Sequence, residues 1–127
     1  MDAALKEKIM FKYFTYEEFD SPDVQGSGQM MSEDLILILE SVREQLGKPV
    51  VITSGYRTEA HNEKVGGKPN SSHLKGLAVD IACNASRDRF NLVNLFIKHD
   101  INRIGIAKNF IHVDIDGDKD QDVMWTY

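Results

Sequence analysis

The chain has 127 residues, enough for one domain with a single core and too few for two. Its formal net charge is -5 at pH 7 and no basic stripe is visible, which argues against a nucleic-acid backbone as the main partner. Apolar residues make up 42% and charged residues 28%, the balance of an ordinary globular domain, and no apolar run reaches the length of a membrane span.

The start, "MDAALKEKIMFKYF", has too short an apolar run for a signal peptide and lacks a small-residue cleavage site. The expectation is synthesis in the cytoplasm without a visible export signal. "FTYEEFDSPD" and the turn-rich "QGSGQ" read as an irregular N-terminal arm, taken over residues 1–31. Ser32 is a predicted N-cap, followed at helical spacing by Leu35, Ile38, Leu39, Val42 and Leu46, and Gly47 and Pro49 stop that helix. "VVIT" (50–53) reads as a short buried strand. "SGYRTEAHNEKVGGKPNSS" (54–72) is a long polar loop with a helical turn or two around 58–65, and a loop this long in a small domain points to function.

"LAVDIA" (77–82) predicts a strand. Ser86 is expected to cap a second helix, with Phe90, Val93, Phe96 and Ile97 facing inward. "RIGIA" (103–107) and "FIHVDI" (110–115) form two strands joined by a hairpin at Lys108-Asn109. The aspartates of "DIDGDKD" (114–120) alternate as in a calcium loop. An EF-hand starting at Asp114 would need glycine and glutamate where Lys119 and Trp125 stand, so an exposed acidic turn is the better account. The tail "MWTY" reads as a core plug in preference to a substrate-stacking rim. Cys83, the single cysteine, excludes an internal disulfide and is expected to be a buried, inert thiol. Together these elements predict one α+β domain over 1–127. Its sheet is mainly antiparallel, with helices on one face, and residues 116–127 form a tail.

Strand geometry gives the polar residues of these runs a meaning. Alternate residues of a strand share a face, so Leu77, Val79 and Ile81 point one way and Ala78, Asp80 and Ala82 the other. In the same way Ile111, Val113 and Ile115 face the core while Phe110, His112, Asp114 and Asp116 share the opposite side. His73 stands just before the first of these strands, with Gly76 permitting a tight turn between. His73, Asp80 and His112 form a two-histidine, one-carboxylate set that suits one zinc ion with a coordination position left open, the catalytic arrangement. The ordinary alternatives are that Asp80 is satisfied by an arginine or by backbone amides, and that lone loop histidines such as His61 and His99 are surface residues.

"SSHLKGLAVDI" resembles the Ser-x-His-x-x-Gly-x-Ala-x-Asp pattern of the zinc D-alanyl-D-alanine carboxypeptidases and related peptidoglycan peptidases. These share a fold with lysostaphin-type enzymes and the hedgehog signalling domain. "SGYR" with its following loop, and "FIHVDI", resemble two further stretches of that family in the same order, so the likeness runs from about Phe14 to Ile115. The resemblance implies His73, Asp80 and His112 as metal ligands, Arg57 as the group gripping a substrate carbonyl or carboxylate, and Ser72 as a substrate-binding or ligand-supporting residue. A departure concerns the general base. The family positions three and two before the last histidine hold Asn109 and Phe110, which cannot take a proton. Asp114 is the nearest substitute, as base or as an anchor for a ligand histidine.

The implied function is a zinc metallopeptidase cutting an amide bond in bacterial cell-wall peptides, first as a D-Ala-D-Ala carboxypeptidase. An endopeptidase cleaving L-Ala-D-Glu or cross-links is the alternative, and a zinc-containing module without turnover is the rival of another class. The expected state is a monomer resembling single-domain bacteriophage lysis enzymes that act on the wall after release.

Overall fold

A computed structural model describes residues 11–127, and the first ten residues, part of the stretch read for an export signal and of the expected arm, lie outside them. The arm is less irregular than its turn-rich sequence suggests. It carries two 3₁₀ turns, Tyr16–Phe19 and Ser27–Met30. The Asp20 carboxylate accepts from the backbone N–H groups of Gly26 (3.0 Å) and Gly28 (2.7 Å), which folds the segment back on itself. Phe14, Phe19 and Met31 are buried, so the arm contributes to the core instead of leading up to it.

Helix α1 spans Glu33–Leu46. Ser32 Oγ accepts from Leu35 N at its start, and Gly47, at φ 70°, ends it in the left-handed conformation that favours glycine. Leu35, Ile36, Leu39 and Val42 are buried, with Ile38 and Leu46 packed at the margin. Strand β1 is Ile52–Ser54, two residues later and less buried than "VVIT" suggests, because it is an edge strand and Val51 is 56% exposed. The long loop holds the short helix α2, Glu59–Lys64, capped by Thr58 Oγ1 on His61 N.

Strand β2 is Ala78–Ala82 and helix α3 is Ser86–Lys98. Two expectations about α3 are corrected. Ala85 holds the N-cap position and makes no side-chain cap, so Ser86 already lies inside the helix. The buried stripe is Leu92 and Phe96, flanked by Val93 and Leu95, while Phe90 and Ile97 are 72% and 52% exposed. The expected stripe and the observed one lie next to each other on the helix surface, and the docking of α3 against α1 selects the second.

Strands β3 (Arg103–Ile106) and β4 (Phe110–Asp114) form the expected hairpin. A further strand, β5 (Val123–Thr126), occupies most of what the sequence suggested as a core plug. The sheet order is β1-β2-β4-β3-β5, antiparallel throughout except for the parallel pair β3 and β5. Val79, Ile81, Ile104, Ile111 and Val113 face the helices and join their apolar residues in one core. The fold is therefore α+β, with α1 and α3 on one face of a mainly antiparallel sheet. Among the described residues no helix is long and apolar enough to cross a membrane.

The other face carries a continuous row. Cross-strand partners align Ser54 with Asp80, Asp80 with His112, His112 with Gly105 and Gly105 with Trp125, so one line of neighbours traverses all five strands. Every side chain in this line belongs to the face away from the helices.

Candidate metal centre and substrate cleft

His73 enters from a turn and not from the sheet. It lies in the 3₁₀ turn Ser72–Lys75, where Ser71 Oγ accepts from His73 N (3.2 Å) and Gly76 closes the turn at φ 70°. A side chain at Gly76 would also run into the backbone carbonyl of Met30, so this position needs glycine for both torsion and space. Gly55 is held for a related reason: an added Cβ would come within 2.7 Å of Phe19 Cα. Tyr56 N donates to Phe19 O, and the Gly55 carbonyl is thereby aimed at His73 Nδ1, 2.8 Å away. The buried arm thus fixes a histidine more than 50 residues later.

The ring orientations follow from these partners. A carbonyl oxygen only accepts, so His73 Nδ1 carries its proton and Nε2 is left with a lone pair. His112 meets Asp114 on one side, with Nε2 2.7 Å from Oδ2, and Asp80 on the other, with Nδ1 3.0 Å from Oδ1. His73 Nε2 lies 3.3 Å from the same Asp80 oxygen. One ligand atom from each of the three residues falls within 4.8 Å of the other two, and all three residues are buried. With Nε2–H of His112 donated to Asp114, three electron-rich atoms face one small space. Such a set is repulsive unless a proton or a cation lies among them. Two imidazole nitrogens and a carboxylate oxygen are donors that suit zinc and leave a fourth position for solvent or substrate.

The local electrostatics report the same competition. Burial alone would raise the Asp80 carboxyl, but hydrogen bonding and charge from His112 and His73 hold it well below the usual carboxylate range. For His112, burial favours the neutral ring, and Asp114 and Asp80 outweigh it, raising the imidazole above its ordinary value. Asp114 would also be raised by burial and is instead lowered, by His112, by the Asp116 amide and by Arg103.

Arg57 is held in the cleft by three partners. Its Nε donates to Ser54 Oγ (3.0 Å), Nη1 to Asn62 Oδ1 (3.3 Å) and Nη2 to Asp80 Oδ2 (3.4 Å). A guanidinium has five N–H groups, so two are left over for a bound molecule. Asn62 is the residue that the sequence reading missed here. It is 3% exposed, receives Arg57, and donates from Nδ2 to Lys68 O (2.9 Å), tying the glycine-rich loop to the arginine. The only sequence signal was a polar residue in a short helix, which solvent exposure would explain equally well.

Asp114 and Ser72 have contacts that bear on their expected roles. Both oxygens of Asp114 are engaged: Oδ2 with His112, and Oδ1 with Arg103 Nε at 2.7 Å and Asp116 N at 3.1 Å. Of the two roles open to Asp114, these contacts serve the anchoring one, since the carboxylate meets the ring nitrogen opposite to the one facing Asp80. Ser72 Oγ donates to Asp116 Oδ2 (2.8 Å) and accepts from Lys119 Nζ (2.8 Å), at the wall of the cleft. The acidic turn is therefore not exposed at Asp116. That residue is fully buried and bridges Ser72 and Lys75, whereas Asp118 is the solvent-facing member. Of the other histidines, His61 joins no metal-capable cluster among the described residues, and His99 meets Gln45. Cys83 is buried and free, and burial pushes its thiol up, as expected for an inert core residue.

Around these groups lies a cleft of about 700 Å³. Arg57, Lys68 and Lys119 contribute cations to its lining, and Phe110, Trp125 and Tyr127 contribute aromatic surface. The tail is thus a cleft wall, not the core plug expected from its apolar content. Strand pairing with β3 leaves Tyr127 70% exposed and Trp125 half-buried over the sheet.

The family model described as Peptidase M15 matches residues 12–114. The chain belongs to the peptidase M15 family. This M15 protein is a zinc-dependent peptidase of the kind that acts on peptidoglycan peptides. The family match covers every element from the buried arm to β4, and the three converging donors fit the metal it requires. Among curated proteins none matches the chain.

Proposed function

We propose that this M15 peptidase is a carboxypeptidase of the D-Ala-D-Ala type, removing a terminal residue from cell-wall peptides. The observation that carries the reading is the placement of Arg57, with two uncommitted N–H groups, beside the converging His73, Asp80 and His112. Among the described residues, Arg57, Lys68, Arg103 and Lys119 line a cleft to which two side-chain carboxylates, Asp80 and Asp114, contribute, which favours a substrate bringing its own negative charge. A free C-terminal carboxylate next to the scissile amide supplies that charge.

His73 Nε2, Asp80 Oδ1 and His112 Nδ1 would hold the zinc ion. When bound, zinc supplies Lewis-acid polarisation of the scissile carbonyl and lowers the pKa of water near it. The chain's own groups do the rest. Arg57 orients the substrate and faces the negative charge that develops on the carbonyl oxygen as the amide is attacked. Asp80 Oδ2 and Ser54 keep the guanidinium in place for that task. Asp114 holds the tautomer of His112, with Arg103 keeping the carboxylate turned toward the ring, so Asp114 acts as a positioning residue. Ser72 fixes the turn that presents His73 through its bonds to Asp116 and Lys119.

The test is a digest of purified wall peptides read by mass spectrometry, with and without a chelator. Loss of one terminal D-alanine, abolished by chelation and restored by zinc, is the expected result. Cleavage at L-Ala-D-Glu or at a cross-link would replace the carboxypeptidase reading with the endopeptidase one. Intact peptides in the presence of bound zinc would make the domain a binding module.

A further inference from the structure

Four residues of the row across the sheet have evident duties at the cleft or beneath it, and the remaining one, Gly105, has no side chain at all. Gly105 stands between His112 and Trp125, paired with both. A Cβ added there would come within 2.5 Å of Trp125 Nε1 and 2.7 Å of its Cε2. The indole therefore occupies the gap that the glycine leaves. By crossing it, Trp125 reaches the next residue in line: its ring is 5.5 Å from the His112 ring, at 50°. The Arg103 guanidinium stands over the indole at 5.1 Å, while the same arginine holds Asp114.

From this we infer that Trp125 is a positioning residue for His112, and that β5 completes the metal centre although it lies beyond the span matched by the family model. The inference rests on His112 being a ligand, as argued above. His112 is gripped at Nε2 by Asp114 and at Nδ1 by Asp80. Asp80 Oδ1 would serve the ion when zinc is bound, and rotation about the Nε2–Asp114 direction then depends on what packs against the ring. The tilted indole against the imidazole restricts that freedom, and the His73 ring packs edge-on to the same imidazole at 5.3 Å. Arg103 links the two supports, since it holds the carboxylate and covers the indole. The geometry matters because donor rings that wander lose metal affinity, and residues supporting ligands typically contribute about tenfold to a hundredfold to it.

Trp125 is the only tryptophan of the chain, so its emission reports on this one contact. The full-length protein, stripped of metal, is titrated with Zn²⁺ while tryptophan emission is followed, and the Zn²⁺ dissociation constant is measured by chelator competition. In the wild type the emission is expected to change and saturate at one equivalent. Trp125→Ala is expected to weaken Zn²⁺ binding by about tenfold and to lower kcat more than it raises KM, and Trp125→Phe to restore most of both. Gly105→Ala keeps the tryptophan but forces the indole off the ring, and is expected to weaken Zn²⁺ binding to a similar degree. Emission that stays constant through saturation, or Zn²⁺ affinity in Trp125→Ala within twofold of the wild type, overturns the inference and leaves the zinc site itself intact. A wild type that binds no Zn²⁺ overturns the ligand set and this inference with it. Should Trp125→Ala fail to fold, the wild-type titration and Gly105→Ala still decide.

Discussion

Asp114 and His112 are two residues apart on one strand, and the 2.7 Å contact between Oδ2 and Nε2 determines which nitrogen of the ring looks toward Asp80. A carboxylate used in this way shapes the site without touching the reacting atoms. Asp114→Asn keeps the shape of the side chain and removes its charge. It is expected to weaken Zn²⁺ binding by about tenfold or more, read by chelator competition, with turnover recovering at saturating zinc. Turnover that stays low at full zinc occupancy, with the acidic limb of the pH profile lost, would give Asp114 the proton-accepting role instead.

The same contact predicts how metal binding responds to pH. Without metal, Asp114 and Asp80 outweigh burial and raise the His112 imidazole above its ordinary value, so below that raised value a proton competes with a cation for the ring. Zinc needs the neutral ring, and its binding should expel that proton. Apparent affinity should therefore fall as pH drops through the raised His112 value, with proton release seen by calorimetry in buffers of different ionisation enthalpy. A Zn²⁺ affinity independent of pH between about 5 and 8 would contradict this assignment.

Asn62 links Arg57 to the carbonyl of Lys68 from a nearly dry position. Asn62→Ala removes two hydrogen bonds of a buried amide, to Arg57 and to the Lys68 carbonyl, which keeps Ser71 N as a donor, for a loss of about 1–3 kcal/mol in stability. The more telling expectation is kinetic. KM for wall peptides should rise severalfold because Arg57 and the glycine-rich loop lose their shared support, while Zn²⁺ affinity stays near that of the wild type. Equal KM in the two proteins would show that the loop is held by other means.

Asp116 makes stability sensitive to acid. Burial would raise its carboxyl, yet Ser72, the Asp118 amide and Lys75 outweigh burial and lower it. A depressed folded-state value means that the stabilisation is complete above the unfolded pKa of about 3.9 and drains away as pH falls through the folded value. Asp116→Asn should therefore lower the Tm at neutral pH and shrink the gap to the wild type in strongly acidic buffer. A gap that is unchanged on acidification would mean the carboxylate charge is not what matters there.

Much of the site was readable because strand alternation is a strict rule. Val79 and Ile81 had to face the core, so Asp80 could not, and the same held for His112 between Ile111 and Val113. The turn that presents His73 carried its own marks in Ser71 and Gly76. What escaped was whatever depends on how elements dock. Helix α3 has two adjacent apolar stripes, and only its contact with α1 distinguishes Leu92 from Phe90. β5 pairs in parallel with a strand about 20 residues earlier in the chain, a long-range contact that a four-residue run does not announce. The buried state of Asp116 depends on Lys75 and Ser72, both over 40 positions away.

The alignment of Ser54, Asp80, His112, Gly105 and Trp125 also sets where the gene can tolerate insertions and deletions. Adding or removing one codon inside β2 or β4 turns every later side chain of that strand to the opposite face, driving a metal donor into the hydrocarbon layer and an isoleucine or valine into the cleft. Length variation should therefore be confined to segments such as 47–49, where the chain is exposed, runs outside the sheet and leaves both register and cleft untouched.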